Sequence, residues 1–299
     1  TAARPRRAYL RGPHRETFRV MVPVQDRIEE AVQLLAEVSD TPRADAEFMM
    51  AHLLNVPRSK LALCFKDEFD VPEFQIFFFF FLACEPVPYI LGEWEFFSLP
   101  IKTRAPVLVP RPETEHLVEV VLHWAQNNNA PRILDLCTGS GCVALALAMN
   151  LRHARVVATD VSDEALTLAA ENFNLHTLDQ RVALQKGDLF GAIGSQQQEL
   201  DVICANPPYV EKGEFPGLSP AIRLYEDPRA LIAGDDGLDV IRRIVQLAPQ
   251  YLAEGGLLAL EIGERQYDAV AALMDAAGLR EVRAQNDLAG IKRIAYTTK

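Results

Sequence analysis

The sequence predicts an α/β protein: a doubly wound, mostly parallel sheet of seven strands, preceded by a small helical domain. Three observations carry that prediction. Beyond Pro106, short apolar runs alternate with segments of helical periodicity, the pattern of strands joined through crossover helices. One run ends in Asp135-Leu136-Cys137-Thr138-Gly139-Ser140-Gly141 and opens directly into the helical stretch Cys142–Leu151, giving strand, small-residue turn and helix in succession. Four successive strands end in, or are followed at once by, a polar residue: Asp135, Asp160, Asp188 and Asn206. Open α/β sheets bind ligands along that carboxyl edge.

Taken in order, residues 1–21 form an Arg-rich, flexible tail, with six arginines and the single acid Glu16 before Met21. Thr1–Val20 reads first as an extension upstream of Met21; a mitochondrial presequence is the competing reading, and Pro5, Gly12 and Pro13 interrupt the long amphipathic helix it would need. Residues 22–85 form the helical domain. Asp26 to Cys84 reads as helical throughout, with Ile28, Val32 and Leu35 on one face and Phe48, His52 and Val56 on another. Thr41-Pro42 marks a helix start. The run Phe77–Phe81 cannot all face one core and is given no function. Residues 86–105, with Pro86, Pro88 and Pro100 and alternating Trp94, Phe96 and Leu99, form a linker carrying a hairpin. Residues 106–299 form the Rossmann-like domain. Its strands are 132–137, 155–160, 182–186, 200–205, 257–262, 280–284 and 292–298. Its helices include 164–174, 238–252 and 266–277. The last two strands are joined too briefly for a crossover, so one of them runs antiparallel.

The composition supports a sizeable core, with 49% hydrophobic and 24% charged residues. The net charge is −11, and the body is more acidic still once the Arg-rich tail is set aside. Such a surface is a poor general binder of phosphate backbones. Cys64, Cys84, Cys137, Cys142 and Cys204 show no CxxC spacing and no Cys/His cluster, so neither a disulfide framework nor a metal site is expected. Reduced thiols place the chain in the cytoplasm, or in the mitochondrial matrix if residues 1–20 are a presequence. The longest uninterrupted apolar run, Ile76–Cys84, is too short to cross a bilayer.

The chemistry is densest at Asn206-Pro207-Pro208-Tyr209, directly after the buried strand Leu200–Ala205. Each proline restricts the residue before it to extended conformations, so the loop is stiff. It presents one carboxamide, a free backbone carbonyl and one aromatic ring. A planar NH2 group fits that set: two oxygens accept its two hydrogens and the ring stacks on its face. The glycine turn is ambiguous on its own, because Gly139-Ser140-Gly141-Cys142-Val143-Ala144 also satisfies the dinucleotide pattern GxGxxA. Asp135 decides it. A carboxylate ahead of the glycines suits the cationic amino group of S-adenosylmethionine and repels a pyrophosphate. Asp160 is placed for ribose hydroxyls, and Asp188 with Leu189 closes the same edge.

These segments resemble the HemK/PrmC family, S-adenosylmethionine-dependent enzymes that methylate a glutamine side chain of class-1 peptide chain release factors. The resemblance rests on Pro88–Gly92, Glu95-Phe96, Pro110-Arg111-Pro112-Glu113-Thr114-Glu115, Asp135–Gly141, Asn206–Tyr209, Tyr225–Pro228 with Ala230-Leu231, and Glu261–Gly263. It covers residues 26–299. It implies a class I S-adenosylmethionine-dependent methyltransferase that acts as a monomer on a protein substrate, without binding nucleic acid directly. In the cofactor site it implies Asp135, Cys137, Thr138, Gly139, Ser140, Gly141, Asp160, Asp188, Leu189 and Asn206. In catalysis and substrate binding it implies Asn206, Pro207, Pro208 and Tyr209, with Arg111 and Glu113 on the substrate. Two departures stand out. Cys137 replaces the first glycine of many methyltransferases, which a negative φ would allow, and the phenylalanine run replaces polar and basic residues. Three rival readings are an amino methyltransferase of adenine N6 or guanine N2 in nucleic acid, a dehydrogenase using the GxGxxA element, and a silent binding module.

Overall fold

The computed structural model describes residues 21–36, 41–69, 84–128, 130–194 and 199–299. The tail before Met21 and the run Phe77–Phe81 lie outside these. The chain divides into two compact units, Thr1–Ala83 and Cys84–Lys299.

In the first unit, helix α1 (Val24–Leu35) buries Val24, Ile28, Ala31 and Leu35, a stripe of helical spacing. Helix α2 (Pro42–Leu53) begins at Pro42, whose fixed φ suits a first helical turn. Its buried face is Ala46, Met49, Met50 and Ala51. The expected face through Phe48 and His52 is therefore wrong: His52 is exposed, and the Phe48 ring lies under the Arg58 guanidinium, 4.6 Å from its centroid. The unit is also not wholly helical. Strands β1 (Val22–Pro23) and β2 (Glu68–Phe69) pair antiparallel across it, and Arg58–Cys64 is a 3₁₀ segment.

The second unit opens with a short helix α3 (Val87–Leu91), stopped by Gly92 at φ 77°. The hairpin β3 (Glu93–Phe96) and β4 (Leu99–Lys102) turns through Phe97 and Ser98, both at positive φ, as a two-residue loop requires. Its inward residues Phe96 and Ile101 join the core of the sheet domain. Asn172 fixes its far end: Oδ1 accepts from Lys102 N at 2.7 Å, and Nδ2 donates to the carbonyls of Lys102 and Ser140.

Helix α4 (Glu115–Trp124) leads into the sheet. Strands β5 (Arg132–Leu136), β6 (Arg155–Asp160), β7 (Val182–Lys186), β8 (Leu200–Ala205), β9 (Leu252–Glu261), β10 (Arg283–Asn286) and β11 (Lys292–Thr298) lie in the order β10-β11-β9-β8-β5-β6-β7. The five inner and outer strands from β9 to β7 are parallel; β11 is antiparallel to β9 and to β10. Helices α5 (Cys142–Asn150), α6 (Asp163–Leu175), α7 (Pro220–Tyr225), α8 (Asp239–Tyr251) and α9 (Tyr267–Ala276) follow in chain order. Alternate strand residues separate into two cores. Ile133, Val202, Cys204 and Ala259 pack with α4 and α5, while Leu134, Ile203, Leu258 and Leu260 pack with α8 and α9. β10 starts three residues later than expected, because Glu281 takes φ 57° and breaks the extended run. β9 starts earlier, at Leu252, where it pairs with Leu200 before a shift of register.

The chain winds outward from β5 through β6 to β7, then returns to β8 on the other side. The β5/β8 boundary is therefore the topological switch point, where a crevice opens at the carboxyl ends of the strands. Asp135 and Asn206 stand there.

Candidate active site

Two adjoining cavities occupy the switch point, and Leu108, Cys137, Gly139 and Asn206 line both. The larger, about 160 Å³, is also bordered by Asp160, Asp188, Leu189 and Pro208. The smaller adds Arg111, Thr114, Asp135, Thr138 and Ser140. Gly141, Glu113, Pro207 and Tyr209 line neither.

The two glycines of the turn have different jobs. Gly139 has φ 56° with open space where a Cβ would stand, so it leaves the cavity clear. Gly141 has φ 81°, and a Cβ would come within 2.9 Å of the buried Phe173 ring. It lets α5 pack down on α6. Cys137 does not have the negative φ its fit was expected to need. Its φ is 57°, in the left-handed region that a glycine fills without strain. Its side chain reaches the second core cluster, and burial followed by the carboxylates of Asp160, Asp135 and Asp188 pushes its thiol up, so it stays protonated.

Asp135 is almost completely buried. Its Oδ2 accepts from Thr138 Oγ1 at 2.5 Å, and its Oδ1 accepts from Cys204 Sγ at 3.9 Å. Burial outweighs those bonds and raises its pKa to about 7. Asp160 uses one oxygen for Gly139 N and the other for Ser162 N, both at 2.9 Å. Burial raises its pKa too, against those N–H bonds. Asp188 is more exposed and holds Arg243 of α8 at 2.6 Å, a partner that sequence spacing does not reveal. Ser140 Oγ is buried at the smaller cavity without a hydrogen-bond partner. Three carboxylates and an open hydroxyl suit a ligand carrying a cationic amino group and hydroxyls, and disfavour a pyrophosphate.

Asn206 donates its side-chain nitrogen to Thr114 Oγ1 at 3.1 Å. That orientation leaves the carboxamide oxygen as the end facing a ligand. Tyr209 is held through its hydroxyl, which donates to Glu261 Oε1 at 3.2 Å, and through its carbonyl, which accepts from Gln266 Nε2 at 2.9 Å. The following backbone pairs with residues 231–234, through Val210 N to Leu231 O and Ala233 N to Val210 O. The stiff loop is thus anchored on both sides.

This chain matches two family models: the "Methyltransferase small domain" over residues 114–218 and the "PrmC N-terminal domain" over residues 26–92. A release factor glutamine methyltransferase of Thermodesulfovibrio yellowstonii is 41% identical over 220 residues, 73% of this chain and 78% of that protein. One from Coxiella burnetii is 37% identical over 286 residues, 92% of this chain and 98% of that protein. The chain belongs to the release factor glutamine methyltransferase family. The hMettl16 catalytic domain, solved with an RNA hairpin, shares the fold at 17% identity, with a TM-score of 0.53 over 67% of this chain and 76% of that one.

Two of the segments that carry the resemblance, Pro110–Glu115 and Tyr225–Pro228, hold each other. Arg111 Nη2 reaches both oxygens of Glu226 at 2.7 Å, and the Glu226 side chain is wholly buried. Val109 N also donates to it, and Asp227 N donates to Pro106 O. Arg111 borders the smaller cavity, but its guanidinium is engaged in this pair rather than open for substrate. Glu113 is half-buried and faces Glu261 and Arg293 electrostatically. Thr114, Glu226, Arg243, Glu261 and Gln266 were not singled out by sequence reasoning for any role. Among the described residues no group of His, Cys, Asp and Glu could hold a metal ion, and no helix is long and apolar enough to cross a membrane.

Proposed function

We propose that this chain methylates the side-chain amide nitrogen, N5, of a glutamine in a class-1 peptide chain release factor. The observation that carries the reading is the Asn206 carboxamide, pinned by its nitrogen to Thr114 at the switch-point cavity so that its oxygen is left for a donor NH2 group. Family membership supports the choice of glutamine, and the acidic balance of the chain supports a protein substrate over a polyanion.

S-adenosylmethionine supplies an electrophilic methyl group when bound. Asp135, Thr138, Gly139, Ser140, Asp160, Asp188, Leu189 and Cys137 are the residues that would hold it, and Gly141 shapes the turn. The acceptor's difficulty is electronic: an amide lone pair is delocalised and weakly nucleophilic. Asn206 Oδ1 and the Pro207 carbonyl accept the two hydrogens of the glutamine NH2. They fix its orientation and stabilise the positive charge that grows as nitrogen becomes tetrahedral. Positioning supplies much of the rest. Pro208 keeps the loop rigid and Tyr209 backs the amide plane. The surplus proton leaves to water or a carbonyl, so no dedicated base is needed. The unit works as a monomer in a reducing compartment where its five cysteines stay free.

The test is methyl transfer from labelled S-adenosylmethionine to a purified release factor, repeated with the target glutamine changed and with RNA and DNA in its place. Label on the wild-type factor alone is expected. Label on nucleic acid with none on the factor would overturn the reading.

A further inference from the structure

The hairpin β3–β4 lines neither cavity, yet hydrogen bonds tie it to both halves of the site. Its turn is tied to the segment that holds Asn206. Phe97 N donates to Glu115 Oε1 at 2.7 Å, and Glu115 directly follows Thr114, which accepts from the Asn206 side-chain nitrogen. Its far end is tied to the glycine turn through Asn172 of α6, which is wholly buried. Asn172 Oδ1 accepts from Lys102 N at 2.7 Å, while Nδ2 donates to Lys102 O at 3.2 Å and to Ser140 O at 2.8 Å. Both donor hydrogens and the acceptor oxygen are used, and a flipped carboxamide would set its oxygen against two carbonyls. The Ser140–Gly141 peptide is thereby held at both ends, by Asn172 at its carbonyl and by Thr138 O, 2.9 Å from Gly141 N. Between its ends the hairpin is stiff. Phe96 and Ile101 are buried in one core cluster with Leu117 of α4. From α6, His176 Nε2 donates to Pro100 O at 2.7 Å, and Glu171 pairs with Arg104 at 2.8 Å. Strand β4 alone spans about 13 Å. A buried amide costs free energy unless its bonds are made, so packing alone does not call for Asn172.

We propose that this hairpin is a strut joining the cofactor half of the site to the acceptor half, with Asn172 and Glu115 as positioning residues at its two ends. The inference rests on the function proposed above for what the acceptor half does, and not for the coupling itself. Asn172 sets the plane of the Ser140–Gly141 peptide, and with it the shape of the turn that borders the smaller cavity. When the cofactor holds that turn still, the Ser140 carbonyl steadies Asn172, and Asn172 steadies the end of β4. The stiff hairpin carries the constraint to Phe97 and Glu115, and so to the start of α4, where Thr114 orients Asn206. The carboxamide is then set before the acceptor amide arrives. Coupling of this kind is reciprocal, so an acceptor held at Asn206 tightens the cofactor site by the same factor. Phe97 reports it, because its N–H belongs to the strut and to neither cavity.

Amide hydrogen exchange on the full chain, with and without saturating S-adenosylhomocysteine, reads the strut without any methyl transfer. In the wild type the ligand should slow exchange at Phe97 and Lys102 by about 5-fold or more, the lower end of an ordinary coupling, and by more than at the edge strand β10. Asn172→Ala should bind the ligand about 10-fold more weakly, the scale of one buried hydrogen bond, and should lose the slowing at Phe97. Glu115→Ala should bind the ligand within about 3-fold of wild type yet lose about 10-fold in kcat with release factor at little change in KM. Glu115→Gln keeps an oxygen for Phe97 N and should restore the rate. Thermal unfolding shows which variants are folded, and the wild-type exchange and the half-buried Glu115 decide the matter if Asn172→Ala is not. No slowing at Phe97 in the wild type, slowing that survives in Asn172→Ala, or equal rates in Glu115→Ala and Glu115→Gln would overturn the strut. The expected exchange pattern without methyl transfer to any release factor would uphold the strut and remove the proposed function instead.

Discussion

Replacing Gly139 and Gly141 separately by alanine should separate ligand binding from packing within one turn. Gly141→Ala meets two costs. A left-handed φ of 81° costs an L-residue about 1–2 kcal/mol. The new methyl also falls 2.9 Å from Phe173 Cε1 and Cζ and 3.0 Å from Ala169 Cβ. Phe173 is buried in the core and cannot swing clear, so overpacking adds about 1–3 kcal/mol. Gly139→Ala meets only the first cost, because nothing lies within 4 Å of its Cβ. The sum for Gly141→Ala is roughly 2–5 kcal/mol, or about 4–20 °C in a unit of this size. Gly139→Ala should lose about 2–8 °C by the same conversion. Its methyl enters the space shared by both cavities, so S-adenosylmethionine affinity should fall about 10- to 100-fold, the binding equivalent of overpacking. Thermal unfolding and titration calorimetry on the two variants read both quantities. Equal losses of stability, or normal cofactor binding by Gly139→Ala, would refute the division of roles.

Three further outcomes follow from the same geometry. Asn206→Ala should remove about 2–4 kcal/mol of transition-state stabilisation and leave cofactor affinity largely intact, read as kcat/KM for release factor beside calorimetry; near-normal turnover would end the role given to its carboxamide. Arg111→Ala should strand the buried Glu226 carboxylate and cost about 3–5 kcal/mol near pH 8, and less near pH 5, where Glu226 takes up a proton more readily; denaturant midpoints at the two pH values decide it. Asp135 has a raised folded-state pKa, so the native state holds its proton more tightly than the unfolded chain does. Stability is then fully present below the carboxyl's ordinary range and is lost as pH rises toward about 7. Asp135→Asn should flatten that decline in the cofactor-free protein and abolish cofactor binding, and an unchanged stability–pH curve would count against the burial argument.

What the sequence disclosed was local. The rigidity of Asn206–Tyr209 follows from two prolines acting on their immediate neighbours. The strand, glycine turn and helix at Asp135–Asn150 follow from periodicity and residue size. The sheet strands were legible for the same reason, as continuous apolar runs. Partners far apart in the chain were not legible. Arg111 and Glu226 are 115 positions apart, and nothing in either segment says that the arginine is engaged by a buried acid. Asp188 likewise gains Arg243 only when α8 packs on the sheet. The sign of φ at Cys137 is set by how β5 turns into α5, which composition does not report. The face of α2 failed because Phe48 was weighed as core, while the smaller Met49 and Met50 fill the interior and Phe48 takes a cation.

The order of the strands also explains why the site divides as it does. β5, β6 and β7 lie on one side of the switch point and bring Asp135, Asp160 and Asp188 to one edge. All three are acids, and each is partly engaged by backbone N–H groups, a hydroxyl or an arginine. That half can bind a cation and hydroxyls, but it offers little to a neutral amide. β8 and β9 lie on the other side and bring Asn206 and Glu261. There Glu261 is buried and accepts from the Tyr209 hydroxyl. A cationic donor and a neutral acceptor therefore meet where the two halves join. Neither half must compromise its electrostatics for the other, because Glu261 is buried and lines neither cavity.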